Sequence, residues 1–273
     1  MIGPDGSLVP RSPGRLSRAP WWLIALALGG TVIAWKVGAS ATYADLFARL
    51  VNGLWVTIGV TAVAFPLAIA VGLAVALARV SPSSVQRNLA TLYVQVARGL
   101  PILVQIFLIA FVVVPLGVEA VHRLAPAGGA LSTLRASDVP MAARVVAALI
   151  LAYGAFEAET LRGGLTSLPR GQAEAARALG LSRSQTLRHV LIPQTFRRVL
   201  PSLGNDLISL LKDSSLVSVL GVWDITQEAR AYASTTFRYT ESLTLLAAFY
   251  LALTLILALL TKGLERAYRR HGA

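Results

Sequence analysis

Six stretches of this chain are apolar over lengths that reach across a lipid bilayer, and nothing else in it limits the fold as strongly. A hydrocarbon core about 30 Å thick takes about 20 residues of helix. The candidate spans are residues 21–37, 54–78, 101–118, 141–161, 199–222 and 243–260. The fifth is the weakest, because it holds Asn205, Asp206, Lys212 and Asp213. Of the 273 residues, 55% are hydrophobic and 14% charged, with mean hydropathy +0.66. A soluble domain of this length rarely has that balance, so the expected class is an all-α polytopic membrane protein.

The net charge of +12 would point a soluble chain toward nucleic acid. Here the arginines are read as loop residues that orient the spans, with no nucleic-acid partner. With the N-terminus inside, most of the 25 basic residues fall in inner segments, and Lys36, Arg49, Arg123, Arg135, Arg230 and Arg238 in outer ones. Both termini are therefore expected on the cytoplasmic side of a bacterial inner membrane. Residues 1–20 are polar and rich in Pro, Gly and Ser, and disorder is expected there. Their Leu8-Val9-Pro10-Arg11-Ser12 resembles a protease site of expression tags. Residues 21–37 have the length and basic flank of a signal peptide. No clear small-x-small cleavage site with a soluble domain follows, so a retained span is expected. Residues 267–273 form a basic cytoplasmic tail.

The loop between the fourth and fifth spans is charged yet has the marks of a folded segment. From Pro169 to Pro201 it carries Glu174 and the arginines 170, 177, 183, 188, 197 and 198. Residues 172–179 have helix-forming composition, with alanine at four of eight positions. Gly180 stands where a helix C-terminus takes a left-handed residue. Ser182 and Gln185 make a capping box for a second helix, which Pro193 is expected to end near Ile192. A helix, a glycine turn and a helix form a docking surface for a soluble partner.

The spacing Glu174-Ala175-Ala176, three residues, Gly180, nine residues, Val190-Leu191-Ile192-Pro193 resembles the EAA motif of ATP-binding-cassette (ABC) importer permeases. Flanking segments resemble the polar amino acid (histidine/glutamine-type) branch. They include Glu159-x-x-Arg162-Gly163, Gly171-Gln172, Leu200-Pro201-x-Leu203-x-Asn205 and Lys212-Asp213-Ser214-Ser215-Leu216. Tyr93, Arg98-Gly99-x-Pro101 through Gln105, and Leu54-x-x-Thr57 match it too. Ser214 stands where the branch has threonine.

The resemblance implies a type I importer permease fold, with about six transmembrane helices: a five-helix core plus the N-terminal one, over residues 21–266. It implies a coupling loop at about 169–195, with Gln172, Glu174, Ala175, Ala176, Gly180 and Pro193 as the ATPase-coupling residues. It also implies a second permease subunit, identical or paralogous, cytoplasmic ABC ATPase subunits, and an extracytoplasmic solute-binding protein. The solutes would be polar or charged amino acids, or relatives such as opines and cystine.

The residues agree with a transport subunit that is not an enzyme. Lys36, Lys212 and Lys262 are preceded by Trp35, Leu211 and Thr261, so no phosphate-binding loop exists; ATP and Mg are expected on the partner. No cysteine is present, and His122, His189 and His271, read as loop or tail residues, lack metal-ligand spacing. Substrate-pathway candidates are Gln105, Lys212, Asp213, Ser214 and Ser215, since polar groups at membrane depth are functional or paired. For Lys212 and Asp213, three roles stay open: pairing with other helices, lining the pathway, or holding a zwitterion's carboxylate and ammonium. Glu159 and Arg162 are expected to pair locally, Asn205 and Asp206 to stabilise a helix start, and Pro66 and Pro101 to bend or start spans. Small residues in the second span, Gly59 and Gly72 among them, suit close packing. The alternatives are an ion-coupled secondary transporter, for which no inverted repeat is evident, and an intramembrane enzyme, for which no convergent acid, base or metal set is present.

Overall fold

A computed structural model describes residues 21–124 and 133–270, and no strand occurs among them. The expected disordered segment 1–20 and the end of the basic tail, His271 included, lie outside the described residues. The chain divides into two compact units, Met1–Phe47 and Ala48–Ala273. In the first, α1 (Trp21–Ala39) is apolar on all faces and buries none of its residues, as a lipid-facing helix does. Lys36 lies over the ring of Tyr43, an arrangement suited to a helix end at an interface.

The second unit is organised around α6 (Met141–Thr166), the most enclosed of the long helices. Before it come α2 (Ala41–Arg79), which begins in the first unit, then α3 (Ser84–Gly99), α4 (Ile102–Leu108) and α5 (Val114–Leu124). After it come α7 (Arg170–Ala178), α8 (Arg183–Gln185), α9 (Ile192–Asp213), α10 (Ile225–Thr236) and α11 (Tyr239–Arg270). Contacts fix the directions. Val71 meets Gly154 and Gly72 meets Glu157, so α2 and α6 run parallel. Tyr93 bonds the Leu151 carbonyl while Arg144 bonds that of Ala110, so α3 to α5 run antiparallel to α6. Tyr153 meets Asp213 and Thr160 meets Asp206, so α9 runs antiparallel to it too. The core joins Val60, Ala64 and Ala68 of α2 to Ile106, Val145, Leu149 and Leu210.

The alanine-rich face of α2 explains the tight packing. A Cβ on Gly72 would stand 2.5 Å from the Glu157 Cβ and 2.9 Å from the Ala158 nitrogen. Only glycine lets the two helices approach this closely. Gly59, expected to serve the same purpose, faces open space.

Among the described residues, five helices are long and apolar enough to cross a membrane: Trp21–Ala39, Ala41–Arg79, Ile102–Leu124, Met141–Thr166 and Tyr239–Tyr268. The expected fifth span, 199–222, is divided between α9, which starts earlier at Ile192, and a 3₁₀ helix, Ser214–Leu220. Its charges keep it out of that apolar set, yet α9 packs against α6 and α11 and buries Val199, Leu203, Leu210 and Leu211. The third span has a longer approach than expected. Amphipathic α3, taken from sequence as an inner segment, precedes it, so Arg98 lies at the opposite end of a helix from Arg87. Pro101 starts α4, whereas Pro66 lies within α2. Helix α10 was not foreseen.

Candidate functional site

The loop after α6 folds as a helical hairpin. Pro169 leads into α7, and the chain turns at Gly180, whose φ is +80°. The Gly180 amide bonds the Arg177 carbonyl and the Leu181 amide bonds that of Ala176, which is the paired arrangement of a glycine-terminated helix. Ser182 and Gln185 form the expected capping box. Pro193 does not end the second helix. A π-helical turn, Thr186–Leu191, intervenes, and Pro193 falls in the first turn of α9, where the π-helical turn carries the chain past the residue that has no N–H to give.

The hairpin presents Gln172, Glu174, Ala175 and Gly180 outward, together with Leu179, which is 82% exposed. Ala176 points inward and is buried. Gln194 donates to the Gln172 side chain at 3.3 Å, and Arg198 donates to the Ser167 carbonyl at 2.6 Å. These tie the hairpin to α9. A cavity of about 390 Å³ lies between the hairpin and the ends of α2 and α6, lined by Val80, Leu165, Arg177, Arg183 and Leu187.

Beside it, the C-terminal ends of α2 and α6 are joined by ions. Glu159 accepts from Arg162, as the sequence suggested, and also from Arg79 of α2. The second partner is 80 residues away, beyond any local pattern.

The pathway candidates do not form one cluster. Gln105 is buried and donates its amide to the carbonyls of Ala97 at 2.8 Å and Leu100 at 2.9 Å. It therefore bridges the break between α3 and α4, taking up carbonyls that Pro101 and the chain bend leave without helical donors. Ser214 is buried and bonds the Leu211 carbonyl, while the Ser215 carbonyl accepts from Ser218. Lys212 is exposed, and Asp213 accepts from Tyr153 at 2.7 Å. Asp206 lies well inside α9, facing Thr160 of α6 at 3.5 Å, and so does not serve a helix start.

Three features were not foreseen. Arg144, buried near the start of α6, donates to the carbonyls of Val139, Ala136 and Ala110. Ala110 belongs to a π-helical turn, Ile109–Val113, a geometry that breaks the regular bonding ladder. Arg98 stacks over Phe156 with its guanidinium carbon 5.6 Å from the ring centre. Glu157 is wholly buried. His122 lies in α5 and His189 in the π-helical turn, rather than in loops. Among the described residues no metal-ligand group converges.

A family model for the inner membrane component of binding-protein-dependent transport systems matches residues 68–270. The glutamine transport system permease protein GlnP of Escherichia coli (strain K12) is 35% identical over 217 residues, covering 80% of this chain and 91% of that protein. The probable amino-acid permease protein YxeN of Bacillus subtilis (strain 168) is 32% identical over 235 residues, covering 86% and 96%. A crystal structure of an amino acid ABC transporter with histidines superposes with TM-score 0.65 at 32% identity, over 82% of this chain and 96% of that one. An inward-facing structure of the MetNI methionine ABC transporter has TM-score 0.66 at 21% identity, over 82% and 98%, and bears on the fold alone. The fold is that of a type I ABC importer permease, and the chain belongs to the family of inner membrane components of binding-protein-dependent transport systems.

Proposed function

We propose that this permease moves polar or charged amino acids inward by alternating access, driven by separate cytoplasmic ABC ATPase subunits and supplied by an extracytoplasmic solute-binding protein. The observation that carries the reading is the hairpin of α7, Gly180 and α8. It is compact, tied to α9, and turns an exposed leucine and small side chains outward, as a surface that fits a groove requires. Gln172, Glu174 and Ala175 meet the ATPase. Ala176, Gly180 and Pro193 hold the shape they are presented on.

The mechanical path follows from the packing. The hairpin is continuous with α6 at one end and α9 at the other, and these two helices pack on each other. Closure of the ATPases pushes the hairpin, and α6 and α9 carry that motion toward Lys212 and Asp213, which line the pathway and meet the amino acid's carboxylate and ammonium. Gln105 and Ser214 keep the helix breaks in shape, and Ser215 sits at the pathway's edge. ATP and its magnesium are bound by the partner, since this chain has no glycine-rich phosphate loop. A second permease subunit completes the pathway. Both termini and the hairpin face the cytoplasm. Family membership lends no support to ion-coupled secondary transport.

Proteoliposomes holding the permease, its ATPase and its binding protein test the reading. ATP-dependent amino acid uptake is expected, with none when the ATPase is omitted. Uptake by the permease alone, driven by an ion gradient, would overturn it.

A further inference from the structure

The cavity beside the hairpin holds a polar group that the fold does not satisfy. Thr186 opens the π-helical turn and lines the cavity wall. It is 4% exposed, and its hydroxyl has no hydrogen-bond partner. Thr61, Thr91 and Thr195 show what a helical threonine does otherwise: each donates to the carbonyl four residues back. A buried hydroxyl left unbonded is costly and calls for a partner. A π-helical turn is a frequent mark of a functional site.

The same cavity is lined by two cations, Arg177 and Arg183. Arg177 donates through Nε to the Ala173 carbonyl at 3.1 Å, and its side chain is otherwise exposed. Arg183 donates to the Val80 carbonyl at 3.2 Å, just past the end of α2. A second cavity, of about 720 Å³, shares Val80, Arg183 and Leu187 with the first, and Leu77 of α2 and Leu89 of α3 add to its apolar wall. Leu89 belongs to an exposed apolar stripe on α3, with Val85, Leu92 and Val96. Among the described residues, no acid lines either cavity.

Two guanidiniums and a free hydroxyl suit a phosphate. The apolar cavity joined to them suits acyl chains. Both lie where α2 and α6, two helices able to cross the membrane, come to an end, which is the level of lipid headgroups. We propose that the joined cavities hold an anionic phospholipid. Its phosphate oxygens accept from Arg177, Arg183 and the Thr186 hydroxyl, and its acyl chains lie along α2 and α3. The bound lipid braces the hairpin against the ends of α2 and α6. The site does not depend on which solute is moved.

Native mass spectrometry of the purified complex of permease and ATPase tests the site, with dioleoylphosphatidylglycerol and dioleoylphosphatidylcholine as probes. The second lipid carries the same phosphate, but its trimethylammonium repels the arginines. Phosphatidylglycerol is expected to be held about tenfold more tightly. Replacing both Arg177→Gln and Arg183→Gln should erase that preference. Thr186→Val keeps the shape and should weaken phosphatidylglycerol several-fold with the thermal midpoint unchanged, so it carries the test even where the double variant fails to fold. Arg170→Gln removes an exposed hairpin arginine that lines neither cavity, and retention should stay as in the wild type. Equal retention of the two lipids would overturn the proposal. An Arg170→Gln loss as large as that of the double variant would replace the site with diffuse surface charge. Displacement of the lipid by millimolar inorganic phosphate would make it a free-anion site. Each of these results leaves the import reading standing, since that reading is decided by uptake in proteoliposomes.

Discussion

In the hairpin of α7, Gly180 and α8, polar groups are exposed and mostly satisfied by neighbours within five residues. In the seam between α6 and α9 they are enclosed or half-buried, and their partners lie 46 and 60 residues away in sequence. The first region is a shape displayed to something else. The second is held together by the fold it helps to hold. Damage to the two should therefore read out differently: in the hairpin as lost coupling with the fold kept, and in the interior as lost fold.

Gly72→Val is the severest test on the interior side. Its Cβ meets Glu157 and Ala158 at 2.5 and 2.9 Å, and those are a Cβ and a backbone atom that cannot swing aside. Overpacking of this kind costs about 1–3 kcal/mol, sometimes more. A sharp drop in monodisperse membrane protein on fluorescence-detected size exclusion is expected. Normal yield with normal uptake would show that α2 and α6 need not touch.

Gly180→Val tests the other side. A β-branched residue at φ +80° is strained by about 1–3 kcal/mol, but nothing stands within 4 Å of the added Cβ. The protein should insert and elute normally while ATP hydrolysis no longer drives uptake. If uptake per ATP is unchanged, the turn is not a coupling element.

Arg79→Ala lies between the two regions. It removes the interhelical half of the Glu159 ion group and leaves Arg162 in place. Hydrogen bonds to charged groups contribute about 1.5–3 kcal/mol, and Arg79 is mostly buried. A moderate fall in thermal midpoint is expected, and Glu159→Gln should add little to it in the double variant. Additive losses would mean that the two groups act separately.

The same contrast explains what could be read from the chain. Gly180, the Ser182–Gln185 box and the α7 helix were legible because each is a local pattern within a few residues. Membrane class was legible because hydropathy sums over a segment. Glu159 with Arg162 was visible at three residues' spacing, but Arg79 was not, because only the fold brings α2 to α6. Tyr153 and Asp213, and Thr160 and Asp206, lie far apart in sequence and meet only through antiparallel packing of α6 on α9. α3 escaped notice because Arg87 and Arg98 make it look like a loop, although Arg98 stacks on Phe156. Pro193 misled for another reason. Proline marks a break in regular bonding, and it cannot say whether a helix ends there or a new one begins after a π-helical turn.

Ser182→Ala is the smallest perturbation and the most discriminating one. It deletes the hydroxyl that accepts from the Gln185 amide at 3.3 Å, leaving the Gln185 side chain free to accept from the residue 182 amide at 2.8 Å. Loss of an N-cap costs about 1 kcal/mol, and here it falls on α8, whose unwinding propagates only to the π-helical turn beside it. Global stability of a membrane bundle should hardly register it, so the thermal midpoint is expected to stay put. Hydrogen exchange of the amides of residues 184–186 should rise several-fold, and uptake should fall modestly while insertion is untouched. A midpoint that drops as far as for Arg79→Ala would mean the hairpin is part of the bundle's cooperative core. The division between a displayed shape and a self-holding interior would then be wrong at its boundary.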